Sequence, residues 1–334
     1  MGKTTIYTIA KIAGVSTTTV SKILNNRGNI SQETVQRVTS LIKKYNYVPQ
    51  QRRNRGNAIG VVTFLTNRQP LSSPFVAGLL NGICREAYRC GHDITLLDGE
   101  RLEKLNAEEL LCYYTSNSLL GMLGINLVGT AQLCDRLRQA KLPMVLLANA
   151  EGQCVSVSTR NYESTAEMID YIACRGHVRI AFIGLVTNMF ETHKIRCRAY
   201  CDILGKHGIA LRPEFIIDLP DAELATIKNA LSRLMSRPEP PTALFLASEE
   251  LSMAMPLLKQ LGYRIPEDIS VAGMSFNPPM AVPGGEPELS AIIQPLEEVG
   301  CRGVQLALNI LNGEKAESEQ LDNRVIYGDT IRKL

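Results

Sequence analysis

Residues 5–25 read TIYTIAKIAGVSTTTVSKILN, and their spacing places two short helices across a tight turn. Ile6, Ile9, Ala10 and Ala13 recur at helical period, Gly14 falls where the backbone must turn sharply, and Ser16 is placed to N-cap a second helix whose inward residues are Val20 and Ile23. Ala10 is small where the helices cross. Thr17, Thr18, Ser21 and Lys22 remain on the outer face, all hydrogen-bonding side chains of a length that reaches base edges or phosphates from a major-groove helix. This is the pattern of a helix-turn-helix. An ordinary helical hairpin with a solvated polar face has the same spacing, so the charge around it carries weight.

Residues 1–57 hold ten Lys or Arg against one acid, Glu33, a net charge of +9. The whole chain of 334 residues is only +3, which leaves 26 basic and 32 acidic residues, or −6, for the remainder. Such asymmetry marks a nucleic-acid-binding head on an otherwise ordinary chain, and it coincides with the helix-turn-helix. A third helix is expected from the N-cap candidate Ser31, with Glu33 favouring the helix dipole and Val35, Val38, Leu41, Ile42 and Tyr45 on one face, until Pro49 stops it. A segment this short buries little surface and is marginal alone.

A 45% hydrophobic chain of this length can bury a large core. There is no charged-then-apolar leader and no apolar run of membrane-spanning length, so the expectation is a cytoplasmic protein with no membrane role. Nine scattered cysteines with no C-x-x-C pair argue for free thiols rather than disulfides or zinc, and no metal or other cofactor is expected.

From Ala58 onward short apolar runs alternate with helical patterns. The runs lie at 59–65, 93–98, 120–125, 143–148, 179–184, 242–247 and 268–274; helices are expected over 76–90, 130–140, 164–175 and 249–261. This alternation implies an α/β class with parallel sheets covered by helices, in which ligands bind beyond the carboxyl ends of strands. The expected organisation is a head at 1–49, a short linker at 50–58 and a core at 59–334.

The head, the Tyr47-Val48-Pro49 exit, Ser73-Pro74-Phe75, the GHVRIAFIG run at 176–184, the IPEDISV run at 265–271 and Gln294-Pro295 together resemble the LacI/GalR family of bacterial transcription regulators. The likeness runs nearly end to end. It implies a helix-turn-helix head, a hinge and a core of two periplasmic-binding-protein-like lobes that close on a small-molecule effector. It also implies a homodimer on palindromic double-stranded operator DNA, with repression as the family default. On that pattern the DNA-contacting residues are Thr5, Tyr7, Ser16, Thr17, Thr18, Thr19, Ser21, Lys22, Asn25 and Asn29, joined by Arg52, Arg53 and Arg55 of the linker. The effector-contacting residues are Ser73, Phe75, Arg160, Thr192, Arg196, Ser248, Glu249, Ser275, Phe276 and Gln294.

Departures from the family pattern are informative. Most members have a longer linker with an Ala/Leu-rich hinge helix that wedges a Leu into the minor groove; here QQRRNRGNA at 50–58 has no Leu and carries Gly56, so an extended Arg-rich tether or a plain flexible linker takes its place. Arg196 retains the family's ligand-holding arginine, within a pattern completed by Ala199 and Tyr200. The acids that clamp sugar hydroxyls in relatives are largely replaced, by Arg160, Ser248 and Ser275. Two readings stay open: Arg160 and Arg196 grip an anionic effector such as a sugar phosphate or carboxylate, or Arg160 pairs with an acid such as Glu249. The chain ends after a strand-like run at 324–331, with no heptad segment expected to build a tetramer. His177 and His193 have no partner at telling spacing and no Gly-rich phosphate loop follows a strand, so an enzyme is not expected. The rival from another class is a two-lobed small-molecule binding protein with no direct DNA role.

Overall fold

The computed structural model describes residues 6–24, 30–45, 57–63, 71, 73–125, 131–149, 154–186, 191–221, 223–248, 253–275 and 288–334. Its head holds three helices, α1 (Ile6–Ala13), α2 (Thr17–Leu24) and α3 (Gln32–Lys44). Ile9, Ala10, Ala13, Val20 and Val38 are buried together, with Val15, Ile23, Leu41 and Ile42 packed against them. Most of these are the residues that the helical period points inward; Val15 joins them from the turn, whereas Tyr45, expected on the same face of α3, directly follows the helix and is 40% exposed. Gly14 bridges α1 and α2 at φ +63°, with no atom near where a Cβ would sit, so glycine is favoured there by backbone conformation rather than by crowding.

The α/β body builds its first lobe from β1 (Ala58–Thr63), α4 (Pro74–Arg89), β2 (Asp93–Asp98), α5 (Gly99–Glu103), α6 (Ala107–Ser116), β3 (Leu119–Ile125), α7 (Ala131–Gln139), β4 (Met144–Leu147) and β5 (Val155–Thr159). The second lobe contains α8 (Asn161–Cys174), β6 (Ile180–Gly184), α9 (Glu191–Lys206), β7 (Ile216–Asp218), α10 (Leu224–Met235), β8 (Ala243–Leu246), α11 (Ala254–Gln260), β9 (Ser270–Ser275) and β10 (Ser290–Ile293). The chain then returns through α12 (Leu296–Asn312) and β11 (Glu319–Leu321) to the first lobe, and ends with β12 (Arg324–Ile326) in the second.

Each lobe carries a six-stranded sheet among the described residues, ordered β11-β5-β4-β3-β1-β2 and β12-β10-β9-β8-β6-β7. Helices cover both faces, which is why the central strands read as unbroken apolar runs: every residue of LLGMLGI in β3 and of IAFIG in β6 is buried. Alternate β6 residues serve opposite faces. Ala181 and Ile183 pack with Leu231, Leu244 and Leu258, whereas Ile180 and Phe182 pack with Met168, Ile172 and Tyr200. In the first lobe α4 and α12 approach backbone to backbone: a Cβ on Gly82 would lie 1.9 Å from Glu297 O, and one on Gly300 2.4 Å from Leu79 O.

The seven apolar runs all form strands, within one or two residues at most ends. The short β5, β7, β10 and β11 lack such runs, and the expected strand at 324–331 extends only through Ile326. Residues 249–252 of the expected helix at 249–261 lie outside the described residues. Among the described residues, no helix is long and apolar enough to cross a membrane.

Three described segments pass between the lobes: 159–161 from β5 to α8, 293–296 from β10 to α12, and 321–324 from β11 to β12. Their proximity organises the site described next.

Candidate nucleic-acid interface and effector site

The reading face of the head starts at the α2 N-terminus. Ser16 Oγ accepts a hydrogen bond from Thr19 N at 3.0 Å and pairs with Thr19 Oγ1 at 2.9 Å, so these two hydroxyls cap the helix. Ser31 and Thr34 repeat the device at the start of α3, with the hydroxyls 2.8 Å apart. Thr18 and Lys22 are exposed, Thr17 is half-buried, and Tyr7 on α1 is 73% exposed. Thr17 and Thr18 stand where helix N-terminal N–H groups and the macrodipole favour a phosphate, and Lys22 lies one turn further along. Thr5, Asn25, Asn29, Arg52, Arg53 and Arg55, and the side chain of Ser21, lie outside the described residues.

In the body, Arg196 is the centre of a buried polar network. Its Nε and Nη2 donate to Asn161 Oδ1 at 2.9 and 2.7 Å, Nη1 donates to Ala247 O at 2.6 Å, and Nη2 also reaches Gln294 Oε1 at 3.4 Å. Gln294 Nε2 donates to Thr159 Oγ1 at 2.9 Å, and Asn161 Nδ2 donates to Thr159 O and Oγ1, each at 3.1 Å. Two of the three crossovers are thereby joined through one guanidinium.

The third crossover joins through Arg160. Its N–H donates to Leu321 O at 2.9 Å and its Nε pairs with Asp322 Oδ1 at 3.1 Å, while Asn323 Nδ2 donates to Ser164 Oγ at 2.8 Å. Among the described residues the acid that meets Arg160 is Asp322; Glu249, the acid named in the sequence reading, lies outside the described residues together with Phe276. The charge thought to face a ligand is matched within the crossovers.

Three buried hydroxyls, those of Thr63, Thr165 and Ser248, have no hydrogen-bond partner among the described residues; Thr165 lies within α8, and the other two lie at strand ends. Thr63 Oγ1 ends β1 in the first lobe and Ser248 Oγ follows β8 in the second; both residues are at least 97% buried, and both sit at the carboxyl ends of strands. That is where doubly covered parallel sheets bind ligands, and buried hydroxyls there are costly until something bonds to them. Ser275 is half-buried at the end of β9. Thr192 is half-buried beside His193, whose Nδ1 accepts from Leu185 N at 3.4 Å. Burial, reinforced by the nearby Arg196 charge, pushes the His193 pKa down to about 3, so this imidazole is neutral at physiological pH. Phe75 is buried in the first-lobe core with Val76, Leu79 and Leu296. Ser73 occupies the α4 N-cap position without a side-chain cap bond.

Sequence matching agrees with this anatomy at both ends. Residues 5–50 match the model of bacterial regulatory proteins of the lacI family, and residues 169–331 match that of the periplasmic binding protein-like domain. The chain belongs to the LacI family. The HTH-type transcriptional repressor CytR of Escherichia coli K12 is 28% identical to it, covering 99% of this chain and 97% of CytR. Catabolite control protein A of Priestia megaterium is 25% identical, covering 98% and 99% of the two chains. Among solved structures, a complex of the transcriptional regulator CelR with cellobiose superimposes with a TM-score of 0.69 at 24% identity, covering 98% of this chain and 99% of CelR. A lac repressor dimer bound to operator and an anti-inducer gives 0.69 at 18% identity, covering 99% and 100%. These two similarities speak for the fold. The chain is thus a LacI-family transcriptional repressor with a DNA-binding head and an effector-binding domain, and not an enzyme.

Inspection of the sequence missed Asn161, Thr159 and Asp322 as partners within the network, and Thr63 as a candidate ligand group. Thr159 and Asn161 adjoin a β-branched run and Thr63 lies within an apolar one, whereas Asp322 follows no such run. His177 has a structural role, with Nδ1 2.9 Å from Thr242 Oγ1 and Nε2 3.1 Å from Arg332 O.

Proposed function

We propose that the protein is a cytoplasmic homodimeric repressor that reads a two-half-site operator with α2 and is controlled by a small polar effector bound at the carboxyl ends of the body strands. The observation that carries the DNA half is the capped α2, with Thr18 and Lys22 outward on a head of net charge +9. One head offers too few base contacts for genomic selectivity, and a two-fold pair doubles them. Arg52, Arg53 and Arg55 act on phosphates, adding affinity without sequence preference. With no apolar wedge in the linker, the operator is bent less than by relatives that carry a hinge helix.

For the effector, the support is the pair of buried hydroxyls, Thr63 and Ser248, and the crossover network around Arg196. Hydroxyls at both strand ends suit a ligand with several hydrogen-bonding oxygens. An anionic effector remains the finer reading, on the condition that it draws Arg160 away from Asp322 or shares Arg196 with Asn161.

Selection of binding sites from a random DNA pool, followed by sedimentation of the complex, tests the first half. The expected product is a palindromic site bound by two chains; full-affinity binding by a monomer overturns it. A thermal-shift panel of neutral sugars, sugar phosphates and organic acids tests the second half. Stabilisation by neutral sugars that survives Arg160→Ala rules out the anion.

A further inference from the structure

Away from the crossovers, α8 and the end of α9 bring three metal-binding side chains together. Asp170 and Cys174 are one turn apart on α8, and His207 directly follows α9. Their ligand atoms lie within 4.8 Å of one another. His207 Nε2 is 3.0 Å from Asp170 Oδ1, and Cys174 Sγ is 3.7 Å from Asp170 Oδ2. In a tetrahedral zinc site with ordinary bond lengths, adjacent ligand atoms are separated by about 3.2–3.6 Å, so only small side-chain adjustments close this triad on an ion. We propose that Asp170, Cys174 and His207 form a zinc(II) site of the second lobe, with water in the fourth position.

The donor set is specific in character. Thiolate, imidazole and carboxylate together suit zinc rather than magnesium or calcium, which take oxygen ligands. An i, i+4 pair on one helix with a third ligand from its neighbour holds such sites on rigid elements. Here the scaffold is packed: Met168, Ile169 and Ile172 of α8 meet Tyr200 and Leu204 of α9 in one buried cluster. His207 is itself fixed, because its N–H donates to Ile203 O at 3.1 Å and Gly208 turns the chain at φ +66°. The Asp170 carboxylate is already ionised, held below its ordinary pKa by hydrogen bonds from His207 and then Lys206. Lys206 Nζ, 3.0 Å from Asp170 Oδ1, stays on the oxygen that does not ligate or yields to the ion. Binding removes the Cys174 thiol proton to solvent, and His207 Nε2, the nitrogen facing Asp170, gives up its hydrogen by a shift of the tautomer to Nδ1 or to solvent.

The same two helices carry Asn161 and Arg196 into the crossover network. An ion at their far ends links α8 to α9 and ties the lobe's stability to metal. The pattern is invisible in sequence because the third ligand stands far from the first two.

Cobalt(II) titration of the full-length, reduced protein tests the site. The expected result is one cobalt per chain with a thiolate-to-cobalt charge-transfer band in the near ultraviolet, displaced by zinc, together with a higher Tm in the presence of either metal. Cys174→Ser should abolish the band, His207→Gln should weaken binding at least roughly tenfold, and Cys112→Ser should change neither. Absence of the band at millimolar cobalt, or its retention in the Cys174 variant, overturns the proposal. Cys174 and His207 are both exposed, so metal-free melting curves that match the parent show both variants are folded. If one variant fails that control, the other decides.

Discussion

The head and the body hold their functional groups in opposite environments. In the head, a handful of small and β-branched residues make the core, and Thr18 and Lys22 are exposed outside it among the described residues. In the body, Arg196, Asn161 and Gln294 are each at least 95% buried, and the candidate site groups also hold the crossovers together. Head residues can therefore change function without changing stability. In the body, the two are coupled.

The sharpest test of that contrast is Arg196→Leu. Removing the guanidinium strands Asn161 Oδ1, Ala247 O and Gln294 Oε1 in a desolvated place, with an expected loss of about 3 kcal/mol of body stability. Urea unfolding should show it, and a double-mutant cycle with Asn161→Ala should be strongly non-additive. Additive effects, or a loss below about 1 kcal/mol, would mean that the network is not a coupled unit.

Next in size is Lys22→Ala. Unfolding should be unchanged within about 0.5 kcal/mol, while discrimination between operator variants falls by about 1–3 kcal/mol at the base it reads. Loss of affinity that is uniform across variants would reassign Lys22 to a phosphate, with the salt slope lowered by about one.

A third test uses proton linkage. Above pH 6.5 His193 is neutral in both the folded and the unfolded chain and contributes no pH dependence. Below pH 6.5 the unfolded chain takes up a proton that the buried ring, with its pKa near 3, refuses. Stability therefore falls on acidification by up to about 1.4 kcal/mol per pH unit from this group, down to the folded pKa. His177, also pushed down by burial, adds in the same direction. His193→Gln should flatten the curve between pH 6.5 and 4; an unchanged slope would place the ring in water.

These regions also differ in how much their sequence discloses. The helix-turn-helix is legible because its turn, cap and inward residues are contiguous, and local period alone decides which side chains face solvent. Central strands such as β3 and β6 are legible because burial on both faces demands apolar runs. Edge strands β7 and β11 are three residues long, with little burial to enforce a pattern. The effector site is the hardest part. Arg196 stands out in a family-like motif, but Asn161, Gln294 and Thr159 come from separate segments that only the crossovers unite. Asp322 gives no signal at all, since nothing near residue 160 indicates that a returning β11 delivers an acid there. Contiguity, more than function, decides what can be read.

The smallest expected effect bears on ligand chemistry. The Arg160–Asp322 pair is open to water, with side chains 49% and 87% exposed, so solvent screens it and its coupling should be under about 1 kcal/mol. Asp322→Asn should then leave unfolding nearly unchanged while releasing the guanidinium. If the natural effector is an anion gripped by Arg160, that release should tighten binding, because the ligand no longer competes with a carboxylate. If the effector is neutral and bonds to Thr63 and Ser248, Asp322→Asn should leave its affinity unchanged and Ser248→Ala should weaken it. Measuring both variants against the same effector by calorimetry separates the cases: tighter binding in the first assigns Arg160 to the ligand, and loss confined to the second assigns it to the crossovers.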